Sequence, residues 1–225
     1  MSCENGPNIV SSDLLLHLDA SDKRSYIGSG TTWRNRIRTD VGTLTNSPTF
    51  NPANLGFFQF NSANNQLISI PNNTIYNTQT PTVEVWVKTN ATNQIAVWFE
   101  KGSSGNQYSL VQESATISWR VNIGGTTTNL TVTTATYMNT SNWYQVVGTY
   151  SSGFKRLYIN GVLVNSATNS GTISTDAAGF TIGSRSGGGN YYNGNLAICK
   201  LYNRALSAEE IKKNFDSTKS RFSLL

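Results

Sequence analysis

Asn193-Gly194-Asn195-Leu196-Ala197-Ile198-Cys199-Lys200-Leu201-Tyr202-Asn203-Arg204-Ala205-Leu206-Ser207-Ala208-Glu209-Glu210-Ile211 reads as a strand running directly into a capped helix. Leu196 to Leu201 is an apolar run of strand length, and Ser207 stands where an N-cap belongs. Glu210 follows three residues later. This is the capping-box spacing, in which each side chain satisfies a backbone N–H near the other. Leu206 before the cap and Ile211 at the fourth helical position form a hydrophobic staple. Helical periodicity appears only here, and it lasts no more than about three turns.

Upstream, strand signals recur along the whole chain. Leu14-Leu15-Leu16-His17-Leu18, Phe57-Phe58-Gln59-Phe60 and Leu67-Ile68-Ser69-Ile70 are compact apolar runs. Thr82 to Lys88 alternates, with Val83, Val85 and Val87 on one face and Glu84, Trp86 and Lys88 on the other. By that alternation Glu84 is read as a solvated strand charge. Trp143 to Tyr150 is a further apolar stretch. Arg156 to Val164 is a hairpin about Asn160-Gly161, the pair that accepts positive φ at both centres of a type I′ turn. Many short strands separated by Gly, Asn and Ser predict an all-β sandwich of two antiparallel sheets, closed by one short C-terminal helix. No linker divides the chain, so residues 14–225 are read as one domain behind an N-terminal arm, residues 1–13.

Composition narrows the function classes. Of 225 residues only 13% are charged, about half the usual share. The polar surface therefore comes from Asn, Thr, Ser and Gly, which favour turns and strands over long helices. The net charge of +5 is scattered, apart from alternating Arg34, Arg36 and Arg38. We read that cluster as a charged sheet edge, which blocks pairing between sheets, rather than a nucleic-acid patch. Cys3 and Cys199 make no disulfide framework, and with a single histidine no metal-ligand spacing exists. The first seven residues lack a signal-peptide pattern, and no apolar run is long enough to span a bilayer.

Catalytic patterns are missing. A glycosidase needs two carboxylates flanking the scissile bond. Glu84, Glu100 and Glu113 are isolated in strand-like segments. His17 sits inside an apolar run, a packed or edge position rather than part of a triad. Gly187-Gly188-Gly189 has no following Lys-Ser or Lys-Thr pair and no helix, so it is not a phosphate loop. Binding chemistry remains. Trp33, Asn190, Tyr191, Tyr192 and Asn193 are the candidate ligand-binding residues, in loops or at strand ends, and Trp98 and Trp119 are candidates to line a concave sheet. Tyr191-Tyr192 leads this set, because neighbouring strand residues face opposite sides and one of the two is left exposed.

Several segments resemble the laminin G-like domains of the concanavalin A-like lectin and glucanase superfamily. Leu201 to Ile211 is similar to the end of their last strand, which often reads I-Y-N-R-A-L-S. Leu16 to Ala20, Thr31 to Trp33 and Gly42 to Asn46 resemble the opening of variants common in bacteriophage structural proteins. Phe60-Asn61 with Asn64-Asn65 resembles the F-D-G-x-D-D-Y strand and loop. Trp143 to Tyr150 followed by Leu157-Tyr158-Ile159-Asn160-Gly161 resembles the central hairpin. The likeness covers about Leu14 to Phe215 and implies a jelly-roll sandwich. Such folds host many unrelated functions. Where the family has paired Asp, this chain has Asn64-Asn65, and Ala197-Ile198 replaces the Asp-Glu of the last strand. Asn brings a carbonyl without charge, so Asn64 and Asn65 are only weak calcium candidates and no cofactor is expected.

The resemblance and the missing export signal together imply a non-enzymatic interaction module, a capsid decoration or appendage protein on the virion surface. The expected partners are other virion proteins or further copies of the chain in a homo-oligomer, without membrane or specific nucleic acid. A carbohydrate-recognition domain that attaches to cell-surface glycans is the alternative, and a glucanase the third reading.

Overall fold

The computed structural model describes residues 8–103, 107–151 and 153–224. Cys3 and residues 1–7 of the expected arm lie outside the described residues. Two antiparallel sheets pack face to face, as the short alternating strands predict. The first contains β1 (Leu14–Asp19), β4 (Thr49–Asn51), β5 (Phe57–Phe60), β7 (Thr82–Thr89), β12 (Tyr144–Ser151), β13 (Gly153–Ile159), β14 (Val162–Asn169) and β16 (Gly194–Tyr202). Their order is β14-β13-β12-β7-β16-β5-β4, with β1 pairing the far half of β16. The second contains β2 (Thr32–Arg34), β3 (Val41–Thr45), β6 (Leu67–Ile70), β8 (Ile95–Lys101), β9 (Tyr108–Glu113), β10 (Thr116–Ile123), β11 (Thr126–Thr133) and β15 (Phe180–Ile182). Its order is β11-β10-β9-β8-β15-β6-β3-β2. A single-turn helix, α1 (Thr134–Tyr137), follows β11, and α2 (Ala208–Asp216) follows β16.

The inner faces form one core. Val83, Val85 and Val87 from β7 meet Trp119, Leu110 and Ile68 from the facing sheet, all fully buried or nearly so. Gly148 on β12 is required here, since a Cβ at that position would come within 2.3 Å of the Trp119 ring. Trp119 donates its indole N–H to the Thr149 carbonyl at 3.0 Å. The Asn160-Gly161 turn takes positive φ at both residues (51° and 76°), as the hairpin signal requires. Arg34 lies on edge strand β2, while Arg36 pairs with Asp22 and Arg38 with Asp40, so the arginine cluster is largely neutralised.

Glu84 corrects the sequence reading. It lies on the outer face, as alternation dictates, yet it is fully buried. The C-terminal helix covers that face. Ser207 accepts from the Glu210 N–H while Glu210 accepts from the Ser207 N–H, so the expected capping box is complete. Leu206 and Ile211 sit buried in one apolar cluster with Val10, Leu14, Val147, Tyr158 and Tyr202. Behind it, Trp86 stacks on Phe222 (4.7 Å between ring centres) and Phe215 (5.8 Å). Glu84 lies inside this cover and accepts from Lys200 Nζ at 2.9 Å, Trp86 Nε1 at 3.1 Å and Asn214 Nδ2 at 2.8 Å. Burial alone raises the Glu84 carboxyl, but Lys200 and these hydrogen bonds outweigh it and hold the group below the ordinary range. The described part of the N-terminal segment joins the same network. Val10 N–H donates to Asn214 Oδ1 at 2.8 Å, and Tyr202 Oη donates to the Val10 carbonyl at 3.0 Å.

Candidate functional site

The other end of that outer face is open. Thr49, Gln59, Asn195 and Lys88 are register neighbours across β4, β5, β16 and β7, so their side chains form one row. Where the C-terminal segments stop, Thr49, Gln59 and Asn195 floor a cleft of about 490 Å³. Phe60, Asn61, Asn64 and Gln66 form one wall, and Asn90 with Asn193 forms the other. Every polar group in this lining is a neutral amide or a hydroxyl.

Hydrogen bonds fix the walls. Asn61 N–H donates to Gln66 Oε1 at 2.7 Å, and Gln66 Nε2 donates to the Asn46 and Ser47 carbonyls. Asn61 Oδ1 accepts from Ala63 N–H as the cap of a 3-10 turn, Ser62–Asn64. Asn90 Nδ2 donates to Asn193 Oδ1 at 3.0 Å, and Asn193 N–H to Gln94 Oε1 at 2.9 Å. The floor differs. No hydrogen bond among the described residues engages the floor side chains of Gln59 and Asn195, nor that of Asn64 in the wall beside them. A rigid rim thus surrounds amides free to bond a ligand, and each amide offers both donor and acceptor.

The sequence candidates divide. Asn193 and Asn64 line the cleft. Asn190 is half-buried, and its carbonyl accepts from Val97 N–H at 3.0 Å. Tyr191 is half-buried beside the glycine loop. Tyr192 is corrected: it is fully buried, edge-on to Trp98 at 6.4 Å and tilted on Phe60 at 6.0 Å. Of two adjacent aromatics, the inward one fills the core. Trp33 is corrected for the same reason, buried against Phe58 at 4.9 Å. Trp98 and Trp119 likewise point into the core and line no concave surface. Gln59, Asn61, Asn90 and Asn195 escaped the sequence reading. The signals available were the lone glutamine inside Phe57-Phe58-Gln59-Phe60 and the place of Asn61 in the family's strand and loop.

The isolated acids are occupied. Glu113 pairs with Arg120, and buried Glu100 accepts from Ser186 N–H at 2.8 Å. His17 is held neutral, its imidazole pushed down to about 4 by burial and then by the Lys200 charge. A calcium ion of the family type does not fit these residues. Asn64 and Asn65 supply only neutral oxygens, while Ala197 and Ile198, at the family's acidic positions, pack in the apolar cluster around Trp86. Among the described residues no group of three or more His, Cys, Asp or Glu side chains gathers.

Solved structures share this fold. The binding domain of Paraclostridial Mosquitocidal Protein 1 superposes with a TM-score of 0.72 at 15% identity, over 91% of this chain and 52% of that one. The receptor binding domain of botulinum neurotoxin C/D mosaic serotype gives 0.72 at 16% identity, over 92% and 52%. The binding domain of botulinum neurotoxin DC, solved in complex with SialylT, gives 0.72 at 13%, over 93% and 52%. The chain therefore spans about half the length of these proteins. No curated protein matches it by sequence. A laminin G-type family model matches residues 62–212, more than half of the chain, and the protein belongs to the concanavalin A-like lectin/glucanases superfamily.

Proposed function

We propose that the chain is a carbohydrate-recognition module that holds a hydroxyl-rich ligand in the carboxamide cleft without transforming it. The observation that carries this reading is a preformed cleft whose open polar groups are all neutral amides or hydroxyls, on a lectin-type fold. Amides match sugar hydroxyls, which also donate and accept. The lining contains no carboxylate, so acid and base groups for glycoside cleavage have no place in it. Two proteins of the same fold support the reading: the botulinum neurotoxin DC binding domain was solved in complex with SialylT, and cell entry of botulinum neurotoxin type C depends on interaction with two ganglioside molecules.

The test is a glycan panel read by calorimetry or array. Wild type binds at least one neutral glycan. Removing two amide partners at about 0.5–1.5 kcal/mol each makes the Gln59→Ala/Asn195→Ala variant bind it about tenfold more weakly. Silence across the panel defeats the reading, and release of reducing ends defeats its non-enzymatic part. Display on a virion, in contact with other virion proteins or further copies, is a separate proposal. The absence of the chain from purified particles would end it.

A further inference from the structure

A second cleft, of about 520 Å³, opens at the opposite end of the β4–β5 edge, between the 3-10 turn Ala53–Leu55 and the C-terminal turns. We propose that it is an independent saccharide site, which takes a neutral pyranose ring with its C–H face on Leu55 and its hydroxyls on Asp19, Ser21 and Thr218. The proposal stands on different residues from the carboxamide cleft.

Leu55 is 71% exposed and held at a left-handed φ of 63°, next to Asn54 at 49°. That conformation is disfavoured for leucine. The turn is closed by the Gly56 N–H on the Ala53 carbonyl and braced by Arg221, whose Nε donates to the Asn54 carbonyl and whose Nη2 donates to the Gly56 carbonyl. The guanidinium thus grips the chain on both sides of Leu55 and holds an apolar finger out at the cleft mouth. Arg221 Nη1 is committed as well, to Asp19 Oδ1 at 2.7 Å. One N–H on each guanidinium nitrogen is thus committed within the protein, and the Arg221 charge is paired with Asp19, so Arg221 braces the site.

The acceptor side is open. Asp19 Oδ1 takes Ser21 N–H, Ser21 Oγ and Arg221 Nη1, while no hydrogen bond among the described residues uses Asp19 Oδ2. Thr218 lines the same cleft, is 3% exposed, and its Oγ1 has no partner among the described residues. A buried hydroxyl without a partner gives up no hydrogen bond when the side chain turns about χ1 to meet a ligand hydroxyl at the cleft surface. One apolar finger opposite a carboxylate oxygen and hydroxyls matches a sugar ring, which has an apolar face and a polar edge. The volume lies in the range of small-molecule sites.

The experiment uses the full chain with methyl-labelled leucine. Methyl glycosides of glucose, galactose and mannose, and N-acetylglucosamine, are titrated at millimolar concentrations, and the Leu55 methyl resonances are followed. At least one sugar shifts them saturably. Thr218→Val keeps the side-chain shape and weakens that sugar at least tenfold without lowering the melting temperature. Ser220→Trp, placed at the exposed rim, blocks it. The proposal is overturned if no sugar moves Leu55, if both variants bind like wild type, or if butylammonium or indole shifts Leu55 where every sugar fails. The Asn195 side-chain amide, read in the same samples, reports the carboxamide cleft, so the two readings fail separately.

Discussion

The two ends of one sheet face contrast sharply. At one end Glu84, Trp86 and Lys200 lie under the C-terminal helix, and the two charges are almost completely buried. At the other end Gln59 and Asn195, on the same face, floor an open cleft. Strand alternation treats both ends alike, because it says only which way a side chain points. What lies above the face decides the rest. Under a helix, a polar group must be paired within the protein or it destabilises it. In an open cleft the same kind of group is available to a ligand.

The largest break in this contrast comes from Glu84→Ala. It strands the Lys200 ammonium in a buried site and is expected to cost about 3–5 kcal/mol in urea unfolding. Glu84→Leu with Lys200→Met is expected to recover most of that loss, because it removes both charges together. If the single variant loses less than about 1 kcal/mol, the covered end behaves like open surface and the comparison fails.

The next effect is a pH dependence at the same covered end. His17 sits beside Lys200 in the β1–β16 register. Its folded pKa of about 4 lies below the ordinary value of 6.5. Between those values the unfolded chain binds more protons, so stability rises with pH across that window and falls on acidification through it. The loss on going from pH 6.5 to 4 is on the order of 3 kcal/mol at most. His17→Gln should flatten that part of the stability curve, and an unchanged slope would assign the acid loss to other groups.

Ser207→Ala removes the capping box and should cost about 1 kcal/mol. The loss should concentrate in faster amide exchange of Glu209 and Glu210, the first turn of the covering helix. The smallest stability effect belongs to the open end. Gln59→Ala and Asn195→Ala should each change unfolding free energy by no more than about 0.5 kcal/mol, since no hydrogen bond among the described residues uses either side chain. A larger loss would show that these amides are structural.

The comparison explains what could be read early. The strand-to-helix stretch from Leu196 to Ile211 carries its own signals: an apolar run, a cap and a staple. The cap and the staple are satisfied by neighbours within a few residues, and the apolar run marks a strand wherever its partners lie. The Asn160-Gly161 turn is equally local. The candidate site was legible only in part. Asn193 and Asn64 reach the cleft, but Trp33 and Tyr192 belong to the core, where large aromatics fill the space between the sheets. Gln59 and Asn195 are far apart in sequence, and only the antiparallel register of β5 on β16 makes them neighbours.

The sequence alone determined the strands, their facing, the turn and the capped helix, because each rests on backbone preferences and side-chain spacing over a few residues. Only the tertiary structure decided that the helix folds back over Glu84 and stops short of Gln59. That choice depends on the apolar contacts of Trp86 with Phe215 and Phe222, which lie more than a hundred positions further along the chain and meet it only when the C-terminal segment packs back on the sheet.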